Sequence, residues 1–241
     1  MFDIIIPIFN EGDQIIKLLR LFERKLNKSF IVYLCYDSND DNIFQYLSKL
    51  KKIKFPIKLI KNNKFGPCNA VKKGLLVSKS KCKIVYPADD FLNIKLIGTM
   101  YEKFLEKKAD IVVASRFIKG GSMVGCPLLK SILVRTASFT LHFFSSIPAR
   151  DASNGFRLFS KNLLNKVKIE SNLGFAYSLE LLVKCNRLKL KIIEVPAKWE
   201  ERSIGSSNFK IFEWIGEYLR WYLYGLKTFW LQKQKPINLR N

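Results

Sequence analysis

Apolar and polar positions follow two periods along this chain. Residues 3–9, Asp-Ile-Ile-Ile-Pro-Ile-Phe, are nearly continuous in apolar side chains, as a strand buried on both faces would be. Asn10, Glu11 and Gly12 break the run. Ile15, Leu18, Leu19 and Phe22 then recur at helical spacing, which predicts a helix over 14–26. Further strands are expected at 30–36, 57–60, 84–86 and 110–115, and further helices at 43–50, 68–77 and 94–107. Every strand ends in a polar loop, so the pattern is that of βαβ units forming a parallel sheet with helices on both faces. Beyond Arg116 the rhythm changes. Lys119-Gly120-Gly121 is a flexible loop, 128–145 is long, apolar and helical in pattern, 177–186 is a helix carrying Glu180, and 191–195 is a strand ending at Pro196.

The last stretch has its own logic. Over 209–231, Glu213, Glu217, Arg220, Tyr224 and Lys227 form one narrow polar stripe, and Trp214, Trp221, Tyr222 and Trp230 stand among the apolar residues around it. Such a helix suits a membrane interface, and suits equally a helix packed on the domain or on a second subunit. The expected division is therefore a domain over 1–208 and an amphipathic, aromatic-rich helical tail over 209–241.

Composition narrows the classes. With 48% hydrophobic residues in 241, the chain can bury a sizeable core. Five scattered cysteines without CxxC spacing point to reduced thiols in a cytosolic protein, not a disulfide frame or a zinc site. The first residues lack the basic region of a signal peptide, and no run of about 18 uncharged apolar residues marks a transmembrane helix. Lys and Arg total 42 against 20 Asp and Glu, a net charge of +22. Acidic headgroups, phosphorylated substrates and nucleic acid all fit such a charge, although the abundance of Lys, Asn, Ile and Phe also fits AT-rich coding. Lysines spread along the whole chain, with no nucleic-acid-binding signature, rank nucleic acid last. His142, alone on an apolar face, is assigned no role.

The candidate chemistry centres on Ile84-Val85-Tyr86-Pro87-Ala88-Asp89-Asp90, where an apolar run ends in two carboxylates. Ligands of open α/β sheets sit beyond the carboxyl ends of the strands, and paired carboxylates there suit Mg2+ or Mn2+. Asp also suits a turn or a helix cap, and the stretch alone fits both readings.

Several motifs then follow in order. Pro7-Ile8-Phe9-Asn10-Glu11 resembles the P-x-Y/F-N-E opening of family 2 glycosyltransferases. Asp37 and Asp41 match that family's acidic loop, Gly66, Asn69, Ala70 and Gly74 its small-residue helix, Asp89 the end of its D-x-D, and Ser115-Arg116 its S-R element. Asp151, Gly155, Phe156 and Arg157 match D-x-x-x-G-F-R; Glu194-Val195-Pro196 and the Arg202, Gly205, Ser207 set match its closing motifs. These last groups are similar to the dolichyl- and polyprenyl-phosphate mannose synthase branch. Pro87, Tyr36 and Asn208 depart from the pattern, standing where the family has Asp, Asp and Lys.

The resemblance implies a GT-A, Rossmann-like α/β fold with a mostly parallel sheet. It implies an inverting, metal-dependent transfer from a GDP- or UDP-sugar to a polyprenyl phosphate or a glycan. Pro7, Phe9, Glu11, Asp37, Gly66 and Asp89 would bind the nucleotide sugar, and Asp89 and Asp90 the Mg2+ or Mn2+. Arg116, Arg157, Arg202 and Ser207 would bind acceptor or phosphate, Arg202 also acting in catalysis. A hydroxyl acceptor would need a base, Asp151 or Glu180, whereas a lipid phosphate is already an anion. A peripheral place on the cytoplasmic face of the membrane and a homo-oligomer are further expectations. The rival reading is a catalytically inactive nucleotide-sugar-binding module of the same fold.

Overall fold

In the computed structural model, which describes residues 1–50, 52–201 and 211–230, strands and helices alternate through the first half of the chain. They run β1 (Phe2–Pro7), α1 (Asp13–Lys25), β2 (Phe30–Tyr36), α2 (Ile43–Leu47), β3 (Ile57–Lys61), α3 (Pro67–Val77), β4 (Cys82–Val85), α4 (Ile94–Lys107) and β5 (Ile111–Ser115). There follow β6 (Ser122–Val124), α5 (Leu128–Phe144), β7 (Arg157–Ser160), α6 (Lys161–Lys166), α7 (Ala176–Arg187), β8 (Ile192–Pro196), β9 (Lys198–Glu200) and α8 (Ile211–Trp230). Seven strands form one sheet in the order β3-β2-β1-β4-β7-β5-β8, and β6 pairs with β9 separately.

The period of two in β1 explains its composition. Phe2, Ile4 and Ile6 point into a cluster with Ile15, Leu18, Leu19 and Phe22 of α1, while Ile5 points into a second cluster with Val71 and Leu75 of α3. Both faces are covered, so the strand is apolar throughout. The edge strand β3 differs: Lys58 and Lys61 are exposed on it, which discourages pairing with another sheet.

Within the sheet β7 runs antiparallel to both neighbours, with Arg157 opposite Val85 of β4 and Val113 of β5. The sequence pattern did not mark residues 157–160 as a strand, nor the β6–β9 pair, nor α6. The other sheet pairings are parallel. Because β7 is reversed, the loop that precedes it lies at the carboxyl edge of its parallel neighbours.

Helix α8 lies on α5 and α7. Trp221 is buried, with Lys184 Nζ and Arg220 Cζ each 4.7 Å from its ring centroid. Thr140 Oγ1 of α5 is 2.8 Å from Tyr222 OH. Gly225 backs onto Leu141 and Val183, where a Cβ would lie 2.9 and 3.0 Å from their side chains. Much of the aromatic face that suited a membrane is thus turned toward the domain. Of the tail residues expected at that face, Phe212, Phe229 and Trp230 have side chains outside the described set. His142 packs at the end of α5, its Nδ1 2.7 Å from Ile147 O. All five cysteines are free thiols.

The close approach of α3 to the sheet depends on Gly74, whose added Cβ would meet Ile5 Cγ2 at 2.5 Å and Cys35 Sγ at 2.7 Å. Gly98 in α4 has nothing within 4 Å of the same position. Gly74→Ala is therefore expected to destabilise by about 1–3 kcal/mol through overpacking. Gly98→Ala should be neutral or stabilising by up to about 1 kcal/mol, from helix propensity alone. Urea unfolding of the two variants checks the contrast, and equal effects would contradict the packing argument.

Candidate active site

The loops after β1, β2 and β3 are laced together at the carboxyl edge of the sheet. Asn10 and Gly12 both take positive φ, 55° and 56°, so the chain turns sharply after Phe9. Asn10 N donates to Asp41 Oδ2 at 3.0 Å, and Gly12 N donates to Asn42 Oδ1 at 3.0 Å. Asp37 accepts from Asn62 Nδ2 at 2.9 Å and from Gly66 N at 2.8 Å. Gly66 opens α3 at φ 105°, a conformation that favours glycine. Pro7, Phe9, Glu11, Asp37 and Gly66 are thereby gathered at one end of the sheet, with Phe9 exposed and Glu11 half-buried.

The two carboxylates after β4 have different surroundings. Asp90 Oδ1 accepts from Leu92 N at 3.0 Å and Asn93 N at 2.9 Å, and its Oδ2 accepts from Asn93 Nδ2 at 2.8 Å. Burial pushes its carboxyl up from the ordinary range against the pull of those donors. Asp90 is therefore a turn residue ahead of α4, its carboxylate holding Asn93, which stands at the N-cap of that helix. Asp89 is half-buried at the mouth of the strand. Asn93 also exchanges hydrogen bonds with the Lys198 backbone of β9, at 2.7 and 3.0 Å. Arg202 and Ser207 lie outside the described residues.

Across the start of β7 stands a second cluster. Arg116, at the end of β5, donates from Nε to Asp151 Oδ2 at 2.7 Å and from Nη2 to Oδ1 at 2.9 Å, and its backbone N donates to Oδ2 at 3.0 Å. Ser153 and Asn154 backbone N–H groups donate to Oδ1 as well, at 3.2 and 3.1 Å. Burial alone would raise the Asp151 carboxyl, but Arg116 and Arg157 outweigh it and hold the group below the usual carboxylate range. A fully buried, ionised carboxylate with both oxygens engaged positions Arg116; it is not poised to take a proton. Ser153 Oγ, 2.6 Å from Arg116 Nη2, completes the hold.

Two expected site residues are placed elsewhere. Arg157 is wholly buried, and burial lowers its pKa to about 10. It donates to Ser178 O and, at 3.1 Å, to Asp151 O, fastening the 151–156 loop to α7. That corrects the expectation of a phosphate contact, because no solvent reaches the guanidinium. Glu180 is likewise buried and accepts from Lys184 Nζ at 2.6 Å, Glu170 N at 2.7 Å and Ser171 N at 2.8 Å. It is one half of a buried ion pair that anchors α7, which corrects its candidacy as a base.

Sequence reasoning missed Ser153, Asn62 and Asn93. Asn93 alone left a local signal, three residues beyond an Asp that ends a strand. Phe117 was also missed: Arg116 Cζ lies 5.1 Å and Arg135 Cζ 4.8 Å from its ring centroid.

Comparison with known proteins accords with this geometry. Residues 3–168 match the model of glycosyl transferase family 2. A dolichol-phosphate mannosyltransferase of Pyrococcus furiosus is 26% identical over 221 residues, covering 88% of this chain and 61% of that protein. A polyprenol monophosphomannose synthase of Mycolicibacterium smegmatis is 25% identical over 118 residues, 44% of each. The chain thus matches between about two-fifths and three-fifths of the length of these relatives. Glucosyl-3-phosphoglycerate synthase of Mycobacterium tuberculosis, solved with Mn2+, UDP-glucose and phosphoglyceric acid, superposes with a TM-score of 0.65 at 14% identity, covering all of this chain and 88% of that one. This last likeness establishes the fold, a GT-A arrangement. A family match across most of the chain, with its motifs among the described residues gathered at one edge of such a sheet, shows that the chain belongs to glycosyl transferase family 2.

Proposed function

We propose that this protein transfers a glycosyl group, with inversion, from a GDP- or UDP-sugar to a polyprenyl phosphate at the cytoplasmic face of a membrane. The observation that carries the choice of acceptor is the state of the two expected bases. Asp151 and Glu180 are each locked in a buried ion pair, so neither serves a hydroxyl acceptor. A lipid phosphate needs no base, only cations that hold it in line with the anomeric carbon. Arg116, whose Nε and Nη2 are held by Asp151 and Ser153, offers phosphate its positive charge and its Nη1 N–H groups. Arg202 and Ser207 are assigned to the same phosphate on the family motif.

The donor end follows from the other cluster. Pro7, Phe9, Glu11, Asp37 and Gly66 form the nucleoside pocket, with Asp37 an acceptor for a base N–H. Among the described residues no three His, Cys, Asp or Glu side chains gather as a metal-binding group. A single strand-end carboxylate nevertheless fits Mg2+ or Mn2+, which commonly take one or two carboxylates and complete their shell with substrate phosphate and water. Asp89 would hold the ion, with Asp90 beside it engaged in the turn before α4. When bound, such an ion stabilises charge developing on the leaving diphosphate. The relatives named as acting on dolichol or polyprenol phosphate, and the Mn2+ and UDP-glucose of the structural neighbour, support this reading. Pro87 at the first position of D-x-D, with Asp90 hydrogen-bonded in the turn before α4, favours one rival: a module that binds nucleotide sugar without transferring it.

Asp89→Asn is expected to lower transfer by on the order of 10²–10³-fold, the scale of removing one electrostatic stabiliser. Calorimetric titration with UDP- and GDP-sugars should show Mn2+-dependent affinity in the wild type and its loss in the variant, with unchanged thermal unfolding. Equal metal dependence in both proteins would overturn the assignment. Donor binding without turnover in the wild type would favour the inactive module.

Asp151→Ala leaves the Arg116 guanidinium without its buried partner and is expected to destabilise by about 3–5 kcal/mol. Because the folded-state pKa of Asp151 is depressed, its stabilisation is complete above the ordinary carboxylate pKa of about 3.9 and is lost as pH falls through the lower folded value. The gap between wild type and variant should therefore begin to narrow below about pH 4 and go on narrowing as pH falls through the lower folded value. A gap that does not narrow on acidification would contradict the ionised assignment.

A further inference from the structure

A cavity at the amino edge of the sheet lies apart from the site at the carboxyl edge. Because β7 is antiparallel to β4, its last residue, Ser160, pairs with Cys82, the first of β4, and Lys161 N donates to Lys81 O at 2.9 Å. The start of α6 is thereby set near the end of α3. Between them is a cavity of about 220 Å³, lined by Lys72, Lys79, Lys83 and Lys161 together with Leu75, Leu164 and Val167. No described aspartate or glutamate lines it. Lys83, 5% exposed, donates to Leu75 O at 2.6 Å and Ser78 O at 2.8 Å, closing the last turn of α3. Lys72 donates to Ser171 O at 2.7 Å and Asn172 Oδ1 at 3.1 Å, neutral acceptors that leave its charge in place. Lys79 and Lys161 stand exposed, one from each wall. Asp3 accepts from Ser78 Oγ at 2.6 Å, but it is buried and does not line the cavity, and one carboxylate answers at most one of four cations. Elsewhere surface lysines pair with carboxylates, as Lys17 does with Asp13, Lys28 with Glu102 and Lys103 with Glu106.

We propose that this cavity binds a small anion bearing two or more phosphoryl groups. Lysine ammoniums are compact charges with rotatable donors, and they meet phosphoryl oxygens from several directions. The Asn165 amide adds a donor to the same lining. The volume is below the roughly 300–1,000 Å³ of sites that take drug-sized ligands, which suits a compact ligand. An adjoining hollow of about 280 Å³ shares Lys72, Leu76 and Ile169 with the cavity. It adds Lys64, Lys73 and Lys168, again with no carboxylate in its lining, so positive charge continues along the outer side of α3. No arginine or aromatic ring lines either hollow, so bases have nothing to stack on and a nucleic-acid strand is the poorer occupant. The empty lysine cluster repels itself, and a phosphate anion relieves that repulsion. This binding does not depend on the sugar transfer proposed above.

The test is calorimetric titration of the full chain with inorganic tripolyphosphate at about 0.15 M salt, with no divalent cation present to recruit the anion to Asp89. The wild type is expected to bind it at one site. Lys79→Gln with Lys161→Gln should weaken that binding by about tenfold or more. The control pair, Lys25→Gln with Lys95→Gln, removes the same charge from exposed positions of α1 and α4, which cover the other face of the sheet. It should change the affinity by no more than about twofold, because long-range attraction is screened at this salt. Excess UDP should not displace the tripolyphosphate, and both variants should keep the thermal unfolding of the wild type. If the first pair unfolds, Lys161→Ala alone takes its place under the same criteria. A wild type that does not bind, or a folded Lys79/Lys161 variant that binds as well as wild type, would overturn the proposal. So would equal weakening by both pairs, which would mark diffuse attraction to a chain of net charge +22, and so would displacement by UDP, which would place the anion at the donor end. A chain that binds tripolyphosphate in this way but transfers no sugar refutes the proposed function and leaves the cavity assignment standing.

Discussion

The reversed strand β7 is the constraint on which the site depends. A parallel sheet delivers to its carboxyl edge only the loops that follow its strands. Inserting one antiparallel strand between β4 and β5 adds a loop that precedes a strand, residues 151–156, and sets it between the ends that carry Asp89 and Arg116. Arg157 holds this arrangement by donating to the Asp151 carbonyl and to α7, with its charge fully buried. Phe156 packs against Tyr86, ring centroids 4.8 Å apart, and Asn154 Nδ2 donates to Ala114 O at 2.7 Å. Breaking any of these contacts would move Asp151, and with it the guanidinium it aims.

The same geometry divides the site into two electrostatic halves. On the β1–β2–β4 side, carboxylates and amides hold one another: Asp41 with Asn10, Asp37 with Asn62 and Gly66, Asp90 with Asn93. This network ties together the loops assigned above to the nucleotide sugar. On the β5–β7 side a single buried carboxylate organises one arginine. Buried charges tolerate this only when paired and hydrogen-bonded, and the six hydrogen bonds that the Asp151 carboxylate accepts, two of them from the Arg116 guanidinium, meet that condition.

The first five strands and four helices were legible in the sequence because each is long enough to show its period, and strand-end residues such as Asp37, Asp89 and Arg116 were placed with them. Strand β7 was not. Four residues beginning with Arg157 carry no usable alternation, and the strand is defined by neighbours on both sides. Roles failed to transfer where the deciding partner is distant in sequence. Glu180 looked like a site residue on a helix, but Lys184 and the 170–171 amides claim it; Asp151 looked like a base, but Arg116 claims it. In the tail the apolar face was legible, whereas its cover, Leu141 and Val183, was not. The exposed apolar surface lies instead chiefly on α5, whose pattern showed a helix but not which side faced out.

The central claim is that this site serves an acceptor that is already an anion. It is tested most directly by presenting the full chain with Mn2+, a labelled GDP- or UDP-sugar, and either polyprenyl phosphate or the corresponding free polyprenol. The account predicts labelled lipid from the phosphate, none from the alcohol, and none from either once the metal is chelated. Transfer to the free alcohol, with none to the phosphate, would contradict it.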